Sequence, residues 1–363
     1  MRVQKAVSFG YDSTSETTEL LETFRAMVND AIRISLDEQV RGRLNLRNRI
    51  YKEFQNRYGV TSRFPYSVAE VAWSIVKKHL RWQRRPVAKR LMMKMDSENY
   101  TLNHGLLSIP NRLGRRILIP LAYGDHQRSF LTDTTLRRGS MTLTERTVLI
   151  CFSKDIEPAR PAKMLGIDLN ERSAVLSDGS KYDLSEVSRI HTEYGIRRKK
   201  FHSQHQRDRR LLKKFSAKSR EKNRVKQSLN RVSKAIVEKA RMAGQGIVLE
   251  KLKGIRFASS PGEIRAKSAR RRLASWPFHR LQQQIVYKAR WAGIPVEYVS
   301  SAWTTKTCHH CSSVNRNLRV TDREWRCPSC GAIHDRDVNA AINIERRGKT
   351  VCLAEVRPGA RGE

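Results

Sequence analysis

The chain has 363 residues, with 72 Lys and Arg against 35 Asp and Glu, a formal charge of +37 and 39% hydrophobic residues. That is enough apolar material for two or three packed domains, so a disordered basic tail is excluded; a charge this large repels itself unless a polyanion shares its field, which points to nucleic acid. Met1–Thr14 lacks the apolar stretch of an export signal, and Ile117–Tyr123 falls far short of the roughly 20 residues of a membrane helix, so neither secretion nor a membrane partner is expected and the chain is placed in the cytoplasm or, in a prokaryote, on the nucleoid.

Residues 1–14 read as a strand entering the polar turn Ser13, Thr14, Ser15. Leu20, Phe24, Met27, Val28, Ala31 and Ile32 then recur at helical spacing. Val68, Val71, Ala72, Ile75 and Val76 do the same after the helix-start signals Pro65 and Ser67. Between Pro86 and Ile156 the apolar runs Leu106–Ile109, Arg116–Leu121 and Thr147–Phe152 are short and cut by Gly and Pro, as in strands. A small barrel or sandwich with a helical insertion after its first strand is expected. Pro158 and Pro161 mark a boundary. Met164–Asn170, Arg172–Asp178 and Ser180–Leu184, with a turn at Asp178-Gly179, open an antiparallel meander. Residues 197–241 carry 18 Lys and Arg against Asp208, Glu221 and Glu238, while Val225, Leu229, Val232 and Ile236 keep a helical seam. One sign of charge dominates beyond what solubility needs, so this basic helix or helical hairpin is expected to face nucleic acid. Gly246–Leu249 reads as a buried strand, Pro277–Ala292 as a helix and Pro295–Val299 as another strand; Gly348–Glu363 reads as a frayed tail.

Cys308-His309-His310-Cys311 and Cys327-Pro328-Ser329-Cys330 are two C-x2-C knuckles fifteen residues apart. This spacing suits one tetrahedral zinc ion, and four thiolates leave no open position, so the ion is structural. A hairpin is expected between the knuckles, with Trp325 and Arg326 on the strand entering the second. His309, His310 and His334 are expected at the surface or facing phosphate.

Three acids are out of place as ordinary surface residues. Asp168 alternates with Leu165, Ile167 and Leu169, which puts it on the opposite face of a strand. An unpaired buried Asp costs several kcal/mol, so it calls for a metal or for a salt bridge. Glu250 closes the strand Ile247-Val248-Leu249, where α/β sheets place their sites, unless it merely pairs with Lys251 or Lys253. In the run from His334 to Ile344, Asp337 shares a helix face with Ala340, Ala341 and Ile344, whose small alanines allow close packing on a sheet. Asp335 is better placed as the helix cap, and stays the alternative third acid. Three such carboxylates can hold two Mg²⁺ ions about 3.5–4 Å apart and hydrolyse a phosphodiester.

Gly166-Ile167-Asp168-Leu169-Asn170, Ile247-Val248-Leu249-Glu250, the knuckles introduced by Thr304-Thr305-Lys306-Thr307, and Asp335-Arg336-Asp337-Val338-Asn339-Ala340-Ala341 together resemble the nuclease half of TnpB proteins. These are transposon-encoded, RNA-guided DNA endonucleases ancestral to type V CRISPR effectors. The resemblance covers about residues 163–347. It implies an α/β RNase H-like (RuvC) nuclease domain with a zinc-ribbon insert, and Asp168, Glu250 and Asp337 as catalytic, magnesium-binding acids. Cys308, Cys311, Cys327 and Cys330 would hold zinc. It further implies a guide RNA from the transposon end (an omega RNA or reRNA), double-stranded target DNA beside a short transposon-adjacent motif, and a monomer. The N-terminal half agrees in layout alone. There residues 1–14 would be the first strand of a wedge β-barrel, 15–85 a helical recognition insertion and 86–160 the rest of the barrel. The nuclease domain would be 161–303 with its basic region 197–241, the ribbon insert 304–334, the last motif helix 335–347 and a flexible tail 348–363. The sequence departs from the family at Cys311-Ser312, where many members have Gly after the second cysteine. A compact type V CRISPR effector shares the same chemistry. A DDE-type transposase would place its Glu last, and a non-catalytic zinc-ribbon regulator would leave Asp168 and Glu250 unexplained.

Overall fold

Alternation builds the first strand: β1 (Arg2–Gly10) buries Val3, Val7 and Phe9 on one face. The computed structural model describes residues 1–79, 84–111, 115–157, 159–204, 208, 210–211, 220–252, 276–319 and 321–354. The chain divides into two units, Met1–Ile156 and Glu157–Glu363.

In the first unit, Thr14 caps α1 (Ser15–Asp37), its hydroxyl accepting the Thr17 N–H at 3.2 Å while the Thr17 hydroxyl accepts the Thr14 N–H at 2.9 Å. The expected helical spacing buries Leu20, Phe24, Met27, Val28, Ala31 and Ile32. A second helix, α2 (Arg43–Tyr58), escaped the sequence reading because only Leu46, Ile50 and Phe54 of its largely polar surface are buried. α3 (Phe64–Val76) follows, with Pro65 in its first turn. The strands form two antiparallel sheets. One has the order β1-β7-β6-β2, where β2 is Met92–Met95, β6 Arg137–Thr144 and β7 Thr147–Asp155. The other comprises β3 (Thr101–Asn103), β4 (Leu106–Pro110) and β5 (Arg116–Pro120). A bridge between Gly10 and Ala122 links the end of β1 to the chain leaving β5, and a short helix, α4 (Asp125–Thr132), interrupts a stretch read as strands.

The second unit is built on one mixed sheet. β8 (Met164–Leu169), β9 (Ser173–Leu176) and β10 (Lys181–Asp183) are the expected meander, shorter at its ends. β11 (Gly246–Glu250) pairs in parallel with β8 on one side and with β12 (Val296–Val299) on the other, giving the order β10-β9-β8-β11-β12. One face packs Leu165, Ile167, Ile247 and Leu249 against the helices α5 (Ser185–Gln204), α6 (Glu221–Met242) and α7 (Phe278–Trp291). The basic run thus continues α5 and fills α6, whose Val225, Leu229 and Ile236 serve this core; residues 205–207, 209 and 212–219 of that run lie outside the described residues. Glu221, counted as a stray acid in the run, is buried and held by Arg198 and by His191 Nδ1 at 2.8 Å.

The other face receives α8 (Arg336–Ala354), with Ile344 on Met164, Val248 and Val299. A Cβ at Gly166 would stand 2.1 Å from the Ala341 carbonyl oxygen and 2.6 Å from the Glu345 amide nitrogen, so β8 and α8 approach backbone to backbone. At Gly348 the helix backbone instead meets a side chain, a would-be Cβ standing 2.3 Å from Val248 Cγ2. The frayed tail expected from Gly348 is therefore corrected: the glycine packs on the sheet and the helix runs on to Ala354, residues 355–363 lying outside the described residues. Among the described residues no helix is long and apolar enough to cross a membrane. Gly166→Ala should force α8 off the sheet and cost about 1–3 kcal/mol, the usual penalty of overpacking. At about 2–4 °C per kcal/mol, thermal denaturation reads this as a fall of several degrees; an unchanged midpoint would contradict the close approach.

Candidate active site and metal centre

Asp168 and Glu250 come together through strand register. The last registered pairs of β8 with β11 are Val248↔Gly166 and Leu249↔Ile167, so Asp168 and Glu250 stand one step beyond on strands about 4.8 Å apart. Alternation turns both toward α8, since Met164, Gly166 and Val248 already face it. Asp337 lies in the first turn of that helix. The three acids feel one another: burial foremost, then the charges of Glu250 and Asp337, push the Asp168 carboxyl up to about 7, against a 2.8 Å hydrogen bond donated by the Asn170 amide. Burial also raises Glu250, which is restrained by the Thr304 hydroxyl donating to Oε1 at 2.8 Å and by the charge of Arg347. Asp337 is met by Arg323 Nη1 at 3.2 Å and Arg336 Nε at 3.3 Å.

Asp335 has a different task. Its Oδ1 accepts the N–H groups of Asp337 at 3.0 Å and Val338 at 2.9 Å, capping α8, and Lys181 Nζ meets Oδ2 at 2.7 Å. Burial pushes its carboxyl up, but the lysine and the two N–H groups outweigh that and hold it low. The geometry thus separates a capping Asp335 from an Asp337 that acts on Asp168.

The two knuckles are built alike. Cys308 N–H donates to Ser313 O at 2.8 Å and Ser312 N–H to Cys308 O at 2.9 Å; Cys327 N–H donates to Ala332 O at 2.8 Å and Gly331 N–H to Cys327 O at 3.0 Å. Ser312, with φ +63°, takes the left-handed position that Gly331 fills at +71° in the second knuckle, so the departure from Gly costs backbone strain rather than the turn. The four sulfurs lie within 4.8 Å of one another, Cys308 and Cys330 at 3.7 Å, Cys311 and Cys327 at 3.5 Å. A tetrahedron with Zn–S bonds of about 2.3 Å has edges of about 3.8 Å, so the set fits zinc. Among the described residues it is the one group of three or more metal-ligating side chains gathered this closely. The N–H groups of Cys330 and Ser329 pull the Cys327 thiol down, whereas burial pushes Cys308 up and the neighbouring sulfurs help raise Cys330, so the four thiols share their protons as one group.

The ribbon corrects two expectations. The hairpin does not span the gap between the knuckles: β13 (Glu324–Arg326) and β14 (Ile333–Asp335) flank the second knuckle, which is itself the turn, and a Thr307–Val314 bridge encloses the first. His334 is buried rather than surface-facing, because its place opposite Trp325 in that hairpin turns it inward, with Nε2 3.0 Å from Cys308 Sγ. His309 is half-buried, and its backbone N–H donates to Asn339 Oδ1 at 2.9 Å; only His310 is exposed.

Asn339 and Asn343 escaped the sequence reading as functional residues. Both are buried on one face of α8, and their amides donate to the ribbon's entry: Asn339 to Thr307 O at 2.8 Å, Asn343 to Thr304 O at 2.9 Å and Thr307 O at 2.7 Å. Thr304, also missed, then links that clamp to Glu250. The available signal was two asparagines at i, i+4 within a helix, a residue type that ordinarily prefers caps and turns.

Residues 278–344 match the family described as Cas12f1-like, TNB domain. The fold is similar to a Cas12f1–sgRNA–target DNA complex, with a TM-score of 0.60 and 14% identity over 92% of this chain and 83% of that one. A mini-RNA-guided endonuclease, CRISPR-Cas_phi3, aligns with a TM-score of 0.57 and 11% identity over 95% of this chain and 92% of that one. The architecture is therefore the one shared by these compact nucleases. Within that class the chain belongs to the TnpB-like family: it is 30% identical over 252 residues to a TnpB-like protein of Methanocaldococcus jannaschii, covering 65% of this chain and 88% of that protein. It is 28% identical over 213 residues to the "Putative RNA-guided DNA endonuclease InsQ" of Escherichia coli (strain K12), where the match spans 53% of this chain and 51% of that one.

A raised carboxyl destabilises the folded chain as it ionises. The cost is absent below the unfolded value near 3.8 and grows as pH rises to about 7. Asp168→Asn should therefore raise the melting midpoint at pH 8 by about 3 °C or more and leave it unchanged at pH 3, in buffer without divalent cations. Equal shifts at both values would remove the electrostatic account. Cys327→Ser should abolish stoichiometric zinc by elemental analysis and open residues 304–334 to protease while β8–β12 stays protected. A metal-free ribbon with unchanged protection would contradict the zinc assignment.

Proposed function

We propose that this chain is a transposon-encoded, RNA-guided DNA endonuclease that cuts target DNA beside a short adjacent motif. The observation that carries the reading is the meeting of Asp168, Glu250 and Asp337 on the α8 face of one sheet, where burial first and then the two neighbouring acids hold Asp168 near 7. We read the β10-β9-β8-β11-β12 order as an RNase H-like, RuvC-type sheet, in which the first three strands form a meander and the next two run parallel to β8. The two sheets of the first unit are read as the wedge barrel, α1–α3 as its recognition insertion, and the basic run 197–241 as part of the RNA or heteroduplex channel.

Three hard oxygen donors under mutual repulsion suit Mg²⁺, and Asp168, Glu250 and Asp337 would hold it. Bound there, a pair of such ions supplies an activated water and stabilises the leaving oxygen. The chain's own groups do the rest. Thr304 and Arg347 oppose the upward shift of Glu250 and Thr304 aims its carboxylate, Asn170 does the same for Asp168, and Arg323 and Arg336 fix Asp337. Cys308, Cys311, Cys327 and Cys330 would hold a structural zinc that keeps the ribbon folded beside them. Its partners are then a guide RNA from the transposon end and double-stranded DNA, with base pairing reading the sequence and the protein reading backbone and shape. A monomer acting in the cytoplasm or on the nucleoid completes the reading. A non-catalytic zinc-ribbon regulator would gain nothing from a carboxylate as costly to ionise as Asp168.

The decisive test purifies the protein with the RNA that accompanies it and offers DNA matched to that RNA's 3′ portion. Asp168→Ala should reduce cutting to background while retaining the RNA. Cutting at the wild-type rate would overturn the catalytic assignment.

A further inference from the structure

Between β12 and the first knuckle the chain makes a short turn, Ser300–Thr307, beside the carboxyl end of β11 where Glu250 stands. Within it Trp303 leaves 56% of its surface exposed, whereas Trp276 and Trp325 are each only 6% exposed. Its φ of +64° lies in the left-handed region that bulky side chains avoid; among the described residues seven glycines take it, and besides Trp303 only Gln39, His104 and Ser312, none as bulky as an indole. A glycine here would make the turn without strain. The turn is nonetheless fixed: the Trp303 carbonyl accepts the N–H groups of Lys306 at 3.2 Å and Thr307 at 3.0 Å and the Thr307 hydroxyl at 2.8 Å. The next residue, Thr304, is buried and donates to Glu250 Oε1 at 2.8 Å. Arg347 Nη1 donates to Ser300 O at 2.7 Å, which brings a guanidinium to the same turn.

We propose that Trp303 is a stacking platform for an unpaired nucleobase of the DNA strand entering the Asp168–Glu250–Asp337 site. The inference rests on the nuclease reading above and adds to it the ligand that the exposed ring would take. An indole offers one flat apolar face to any base, so such a platform orders a single strand without selecting its sequence. Strain retained on a rigid turn next to a carboxylate presents the ring in a single direction, which a flexible loop would not. The adjoining Arg347 supplies positive charge for the backbone of that strand.

The experiment uses the full chain with its copurified RNA and target DNA carrying single abasic positions, or single 2-aminopurines, along each strand. In the wild-type protein one or two abasic positions should slow cutting about tenfold by raising KM, as loss of one stacked base would. Trp303→Ala and Trp303→Gly should cut intact DNA with that same raised KM and show no further loss at those positions; Trp303→Phe should behave close to wild type. Gly fits the left-handed backbone, so it removes the ring without stressing the turn. In an Asp168→Ala background, 2-aminopurine at those positions should be quenched with Trp303 present and bright in Trp303→Ala. Wild-type KM and undiminished abasic sensitivity in both the Ala and Gly variants would overturn the proposal. Asp168→Ala that still cuts DNA counts against the nuclease reading instead, and the quenching judges the ring regardless.

Discussion

Helix α8 rests on β8 with no side chain between them, because Gly166 has no Cβ to hold the Ala341 carbonyl and the Glu345 amide away. Much of the second unit follows from that approach. It sets the first turn of α8, with Asp337, over the face that carries Asp168 and Glu250. It also aligns Asn339 and Asn343 with the chain entering the ribbon, so the cysteine knuckles are built out from the same helix that presents the third acid. Small residues in a row, Ala340 and Ala341 on the helix and Gly166 on the strand, achieve what no larger side chain could.

Gathering acids in this way is expensive, and the surrounding groups show where the cost is met. Each carboxylate has its own partner: the Asn170 amide on Asp168, the Thr304 hydroxyl on Glu250 and two guanidinium groups on Asp337. None of these fully relieves Asp168, which has burial and two like charges against it and only the Asn170 amide and the charge of Arg336 in its favour. The three carboxylates are a local acidic cluster in a chain whose formal charge is +37. A polyanion is therefore attracted by the molecule as a whole.

Much of this was legible in the residues. Alternation placed Asp168 opposite Leu165 and Ile167, the end of a continuous apolar strand placed Glu250, and a 3.6-residue period put Asp337 on the face of Ala340, Ala341 and Ile344. Knuckle spacing announced the cysteine quartet. Periodicity failed where burial was sparse or the partner lay far along the chain. α2 buries only three apolar side chains, and α4 is a two-turn helix among strands. His334 read as polar and therefore external, yet a hairpin register decides its direction, and register depends on where the turn falls. Thr304 and Asn343 act through partners 54 and 39 residues away, which no local pattern encodes.

β14 ends at Asp335 and α8 begins at Arg336, so the ribbon's last strand and the long helix are joined by a single peptide bond. Asn339, Asn343 and the caps donated to Asp335 brace that joint from both sides. The ribbon is consequently no pendant on a tether. It behaves as the short arm of a crank whose shaft lies across the sheet, and a push at its tip is delivered as torque at Asp337.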